Sequence, residues 1–244
     1  MATQLDFLAA LAMGIGPALL FMWVSLRRFD RPRVEATLFD DRRVFGHLAV
    51  GMIFGVFASV LARAMPRFDF ASSVLAVGAS FLVEELFKVV VLNRKGYQGR
   101  FDTTFTGVSL GAGLAATTAM ATIYWNVTGS LGLPDLFLTF LLFSVTMNLV
   151  HVDTGVLIGF GASQKEMGRP LVKALAIRGA HAGFLFPLLV GAPNPWSLVA
   201  AATSTGFALL VFYYAYTVLL PATLPQDLQR KARRERRRVP SVKE

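Results

Sequence analysis

The sequence predicts an all-α membrane protein, a bundle of seven transmembrane helices with the N-terminus outside and the C-terminus in the cytoplasm. The first observation is composition. The chain has 244 residues, of which 55% are hydrophobic and 16% charged, with a mean hydropathy of +0.56; a soluble domain carries about a quarter charged residues. The second is the presence of seven continuous apolar stretches, each reaching the approximately 20 residues that cross a 30 Å hydrocarbon core as helix. The third is the distribution of basic residues, which gather in alternate loops. Strands are excluded because the apolar runs are continuous rather than alternating, and lipid leaves backbone groups no partner outside a helix.

The stretch 5–26 contains GIGPALL (14–20) and has no Lys or Arg before it. Its length suits a full crossing better than the short apolar core of a signal peptide. RRFDRPR (27–33) separates it from 44–65, and turn residues then lead to 70–93. That third stretch holds FLVEELFKVV (81–90), which places Glu84, Glu85 and Lys88 among Phe, Leu and Val. RKGYQGR (94–100) precedes 104–126, where Gly107, Gly111 and Ala115 recur every four residues. In 135–161, Gly155 and Gly159 repeat that spacing, and small residues four apart allow close helix approach. The same stretch carries Asn148, His151 and Asp153. SQKEMGRP (163–170) precedes 172–192, which carries Arg178 and His181, and PNPW (193–196) leads into 196–220. Residues 1–221 thus form one transmembrane domain and 222–244 a basic cytoplasmic tail.

Six basic residues (Arg27, Arg28, Arg31, Arg33, Arg42, Arg43) occupy the first loop, Arg94, Lys95 and Arg100 the third, and Lys165, Arg169 and Lys173 the fifth. Eight more lie in the tail from Arg230 to Lys243, against only Arg63 and Arg67 on the other side. The positive-inside rule then sets the orientation. The net charge of +9 is read as topology, with anionic lipid as the partner of the tail and nucleic acid not expected. The expected location is the cell membrane. The absence of cysteine excludes disulfides and thiolate chemistry.

A charged group at a membrane helix centre costs on the order of 2.5–3.5 kcal/mol, so such groups are seldom idle. Glu84 lies ten residues before Arg94, and His181 eight after Lys173. With the fifth span ending near Phe160, His151 is nine residues from the same surface. At 1.5 Å per residue all three sit about 12–15 Å deep. Glu84 and Lys88 have the i,i+4 spacing of an intrahelical ion pair. Asn148 shares a face with His151 as a supporting residue, whereas Asp153 points elsewhere, towards Arg178 or a loop. Carboxylates and imidazoles at one level point to hydrolysis, with water activated by glutamate alone or by a glutamate- and histidine-bound zinc. There is no H-E-x-x-H, no G-x-S-G loop and no paired G-x-G-D motif. An ion-coupled transporter is disfavoured, because helices broken at the midplane are not evident.

EELFK (84–88), FDTTFTGVSLGAGLA (101–115), HVDTGVLIGFG (151–161) and His181 resemble the PrsW family of intramembrane proteases, which belongs with the CAAX prenyl endopeptidases. The order of motifs, with GIGPALL and PNPW, also resembles the anterior-pharynx-defective subunit of gamma-secretase, a seven-span scaffold. The resemblance covers most of residues 5–192. It implies a catalytic set of Glu84, Glu85, His151 and His181. Glu84 would activate water with support from Glu85 and Lys88, and the histidines would bind metal or the oxyanion. If zinc is used, the resemblance implies Glu84, His151 and His181 as its ligands, and membrane-anchored proteins as substrates. Where the family usually has Glu-Asn in the fourth span, this chain has Thr118 and Ala119. Four residues after the second histidine, where Asp or Asn is usual, stands Leu185. Loss of both polar supports is what a catalytically silent scaffold would show.

Overall fold

The computed structural model describes residues 4–30, 38–65, 69–126, 134–189, 192–193, 195–227 and 230. Arg31, Arg33, Arg67 and the basic tail beyond Arg230 lie outside the described residues. Seven long helices fall on the seven apolar stretches, with ends displaced by a few residues. They are α1 (Gln4–Asp30), α2 (Asp41–Ala64), α3 (Phe70–Leu92), α4 (Thr103–Asn126), α5 (Pro134–Ser163), α6 (Gly168–Leu189) and α7 (Trp196–Tyr214). α7 runs on through a π-helical stretch, Ala215–Leu219, into a last turn, α8 (Leu220–Ala222). Six helices are long and apolar enough to cross a membrane, which gives the chain the character of a multi-pass helical membrane protein. α3, the helix of Glu84, Glu85 and Lys88, falls outside that set. The expected count of seven is therefore met in helices, and in six of them by length and hydropathy.

Local chemistry fixes several helix starts. The Asp40 carboxylate accepts from the Arg42 amide at 2.9 Å to cap α2. Asp69 caps α3 through a reciprocal pair: its side chain accepts from the Ser72 amide at 2.7 Å, and the Ser72 hydroxyl accepts from the Asp69 amide at 3.0 Å. Such a box satisfies amides that the first turn leaves without partners.

α4 lies at the centre. Every residue from Thr103 to Ala119 is buried, with α1, α2 and α5 packed around it. Glycine makes the approach possible: a Cβ on Gly107 would strike the Gly155 carbonyl, and one on Gly111 would strike the His151 carbonyl. The close α4–α5 contact expected from the spacing of small residues is present. α2 uses the same device, because Gly51 meets the Leu110 carbonyl and Gly55 the Thr117 side chain. The outer faces are apolar, with Ile53 73%, Leu75 72% and Leu210 72% exposed. That inverts the soluble pattern and suits contact with lipid.

The basic loops meet at one pole. The Gly99 amide in the α3–α4 turn donates to the Ala162 carbonyl at the end of α5, at 3.0 Å. Gly99 has φ +73°, a left-handed conformation that costs glycine little. Arg43 at the start of α2 reaches Asp102 at 3.5 Å, and the Thr223 hydroxyl donates to that of Thr104 at 3.1 Å. The ends of α2, α4 and α6 lie at the opposite pole.

Candidate functional site

α3 buries Glu84, Glu85, Lys88, Val91 and Leu92, the i, i+1, i+4, i+7, i+8 stripe of one helix face. Its polar groups point inward while Leu75, Leu82 and Val90 face out. α5 meets this stripe with His151 and Thr154, and α6 with Arg178; His181, three residues further on, is buried on the same face of α6.

The contacts define one enclosed network. Lys88 Nζ donates to Glu85 Oε1 at 2.8 Å and to Thr154 Oγ1 at 2.6 Å, and lies 3.3 Å from His151 Nδ1. Thr154 Oγ1 lies 3.2 Å from Glu85 Oε1. Arg178 Nη2 donates to Glu84 Oε2, and Arg178 Nε is 3.8 Å from Glu85 Oε1. The guanidinium also lies over the Phe81 ring, 4.2 Å from its centroid. His151 Nε2 sits 3.7 Å from Glu84 Oε2. An ammonium can only donate, so His151 Nδ1 accepts and Nε2 carries the ring proton towards Glu84.

Two carboxylates therefore face two fixed cations, and their formal charges cancel. Balance matters at this depth, because a buried charge that loses its partner costs about 3–5 kcal/mol. The sequence expectation that Lys88 pairs with Glu84 is corrected: Lys88 takes Glu85, and Arg178 takes Glu84. The lysine reaches the nearer turn because Thr154 and His151 hold it on the α5 side.

His181 departs from the expected shared site. Its Nε2 lies 3.1 Å from the Thr146 hydroxyl, which in turn is 3.1 Å from the Ser204 hydroxyl on α7. Among the described residues no carboxylate comes within ion-pair distance of it. Asn148 is turned to α1, where its amide donates to the Gly14 carbonyl at 3.3 Å and to the Ser144 carbonyl at 2.9 Å. Asp153, expected beside Arg178 or a loop, is buried, and both of its oxygens lack a hydrogen-bond partner among the described residues.

A cavity of about 730 Å³ ends on this network. Glu84, Arg178 and His181 line it, with Phe81, Phe143 and Leu185 among its walls. Its far end reaches Arg63, which lies over the Trp125 ring at 5.4 Å, at the pole opposite the basic loops. Glu85, Lys88 and His151 are not part of the lining. Thr118 and Leu185 both are.

The zinc set Glu84, His151 and His181 is not gathered. Among the described residues no group of three His, Cys, Asp or Glu side chains could hold a metal ion. Arg178 engages Glu84 Oε2, and the Lys88 ammonium faces His151 Nδ1. Two fixed cations at this spot repel a dication, and zinc requires its ligands to converge on one point. These side chains, as arranged, do not fit zinc.

Sequence reasoning placed Arg178 in the membrane but not at the centre of the site. The signal was its spacing from His181. Thr146 and Thr154 gave no signal, because a threonine in a helix usually returns its hydroxyl to its own backbone. The chain matches no family model, no curated protein and no solved structure. What fold and site define is a helical, multi-pass membrane protein that encloses a charge-balanced glutamate, histidine, lysine and arginine network beside a cavity.

Proposed function

We propose that the chain is an intramembrane endopeptidase that hydrolyses peptide bonds of membrane-anchored proteins with a glutamate-activated water and no metal. The observation that carries this reading is that Glu84 is the one carboxylate of the network lining the cavity. Glu85 is held behind it by Lys88, Thr154 and Arg178, so it supports rather than reacts. In this mechanism Glu84 takes a proton from water, the hydroxide adds to the scissile carbonyl, and the same proton passes to the leaving amine as the C–N bond breaks. The proton ends on the new amino group, and Glu84 is restored. Arg178 holds its carboxylate in place. The resemblance of EELFK and the later histidines to PrsW proteases supports the same assignment.

Seven spans accompany this reading. α3 has 23 residues, about 34 Å of helix at 1.5 Å per residue, and it joins the two poles as its neighbours do. With the basic loops in the cytoplasm, Glu84 lies about 12 Å from the cytoplasmic end of α3, and the cavity leads from it towards the outer side. The cell membrane is the proposed location, with the tail on anionic lipid.

A catalytically silent scaffold is the second reading, and one observation favours it. Thr118 and Leu185 stand on the cavity wall where the family usually has polar supports, and the Thr118 hydroxyl donates to the Leu114 carbonyl of its own helix at 2.9 Å. The test is a single-span reporter reconstituted with purified protein in proteoliposomes. Cleavage that persists with a zinc chelator supports the first reading. Absence of cleavage beside stable reporter binding supports the second.

A further inference from the structure

The geometry points to a ligand site at the inner end of the cavity, one that receives a carboxylate or carbonyl oxygen carried on an apolar chain. Arg178 and His181 are each 1% exposed, and both line the cavity. Arg178 spends Nη2 on Glu84, while its Nη1 has no hydrogen-bond partner among the described residues. His181 has its Nε2 against Thr146, while its Nδ1 also lacks one. The Thr146 hydroxyl can donate to Nε2, which leaves the ring proton on Nδ1.

Arg178 Nε lacks a partner as well, so these two side chains hold three buried nitrogens without a hydrogen-bond acceptor among the described residues, which is costly. An unsatisfied buried donor costs about 1–3 kcal/mol, and more when it is charged. Glu84, the one acidic side chain of the lining among the described residues, is already engaged by Arg178. An oxygen acceptor brought by a ligand would satisfy these nitrogens. The rest of the wall decides what carries that oxygen. Phe81, Phe140, Phe143, Met147, Leu185 and Leu188 line the cavity, so the carrier is apolar. The volume of about 730 Å³ lies within the range of roughly 300–1,000 Å³ typical of ligand sites. Fatty acyl chains and apolar peptides share this chemistry. The site goes beyond the hydrolysis reading, because a protein that never cleaves would bind such a ligand equally well.

The test uses the full chain in nanodiscs with two photoreactive probes: a diazirine-bearing myristate, and a leucine–alanine peptide carrying photoleucine. Crosslinks are mapped by mass spectrometry. Saturable labelling of Phe81, Phe143 or Leu185, competed by unlabelled probe, is the expected result. Labelling by myristate alone identifies an acyl ligand, and labelling by the peptide alone a peptide ligand. His181→Ala leaves every ion pair intact and removes one donor. Arg178→Lys keeps the charge beside Glu84 but replaces the guanidinium, and Nη1 with it, by one shorter ammonium. Each should lower labelling about tenfold or more, as for loss of a hydrogen bond to a charged acceptor. Lys95→Gln, exposed at the opposite pole and outside the lining, should leave it unchanged. Labelling that never saturates with either probe, or that is indifferent to both His181→Ala and Arg178→Lys, overturns the site.

Discussion

Arg178 of α6 donates to Glu84 of α3 across 94 residues of sequence. The link ties α3, whose opposite face is exposed and apolar, to the rest of the bundle. Both partners are buried. Arg178→Met should therefore destabilise the protein by about 3–5 kcal/mol, the usual consequence of leaving one buried charge alone. Glu84→Gln combined with Arg178→Met should recover most of that loss, because it removes both charges. Thermal unfolding in one detergent compares the three proteins. A single Arg178→Met variant as stable as wild type contradicts the pairing.

The α4–α5 contact gives a second contrast. A side chain on Gly111 would strike the His151 carbonyl, whereas nothing lies within 4 Å of a Cβ on Gly179. Gly111→Leu should cost at least the 1–3 kcal/mol of an overpacked core and move His151 from the network. Gly179→Ala should be neutral or stabilising by up to about 1 kcal/mol, since alanine is the better helix former. Size-exclusion profiles and unfolding temperatures separate the two, and equal tolerance of both changes contradicts the close approach.

Much of this was legible in the sequence. The seven apolar stretches gave the helices to within a few residues, because each is continuous and bounded by charged turns. The small-residue spacing of Gly107, Gly111, Gly155 and Gly159 gave the central contact. Glu84, Glu85, Lys88 and His151 were found because charge in an apolar run is rarely accidental. The pairing was not legible. Spacing allows Lys88 either glutamate, and only the position of α5, through Thr154 and His151, selects Glu85. Nor could spacing along one helix show that α6 would bring Arg178 rather than His181 against Glu84. Asn148 looked towards the site because it lies three residues from His151, yet α1 packs against that part of α5 and takes its amide.

Asp153 supplies a third prediction. Its carboxyl group is buried without a hydrogen-bond partner among the described residues and outside the cavity lining. Asp153→Asn should leave stability unchanged or raised, because removing an unpaired acid from the interior removes a desolvation cost, and it should leave the cavity probes unaffected. A loss of stability beyond about 1 kcal/mol, the net value of one hydrogen bond, would show that the carboxyl group has a partner.

Orientation is tested by accessibility. Cysteines placed singly at Thr128, which lies outside the described residues, and at Gln164 should label from opposite sides of sealed vesicles. A cysteine at Gln98 should label from the same side as Gln164, because the α3–α4 and α5–α6 turns meet through Gly99 and Ala162. Labelling of Thr128 and Gln164 from one side contradicts the seven-span arrangement.

The role of Glu84 is tested by its rate effect beside Glu85. Reporter cleavage in proteoliposomes is measured for wild type, Glu84→Gln, Glu84→Asp and Glu85→Gln, each checked for monodisperse elution. Glu84→Asp keeps the charge beside Arg178 but withdraws the carboxylate by one methylene, so a loss there cannot be laid to an orphaned arginine. The expected result is a fall of about 10²–10⁴-fold for Glu84→Gln, the usual size of general-base loss, with a clear fall for Glu84→Asp and a smaller one for Glu85→Gln. Folded Glu84→Gln protein that cleaves the reporter at the wild-type rate contradicts the assignment of Glu84 as the base.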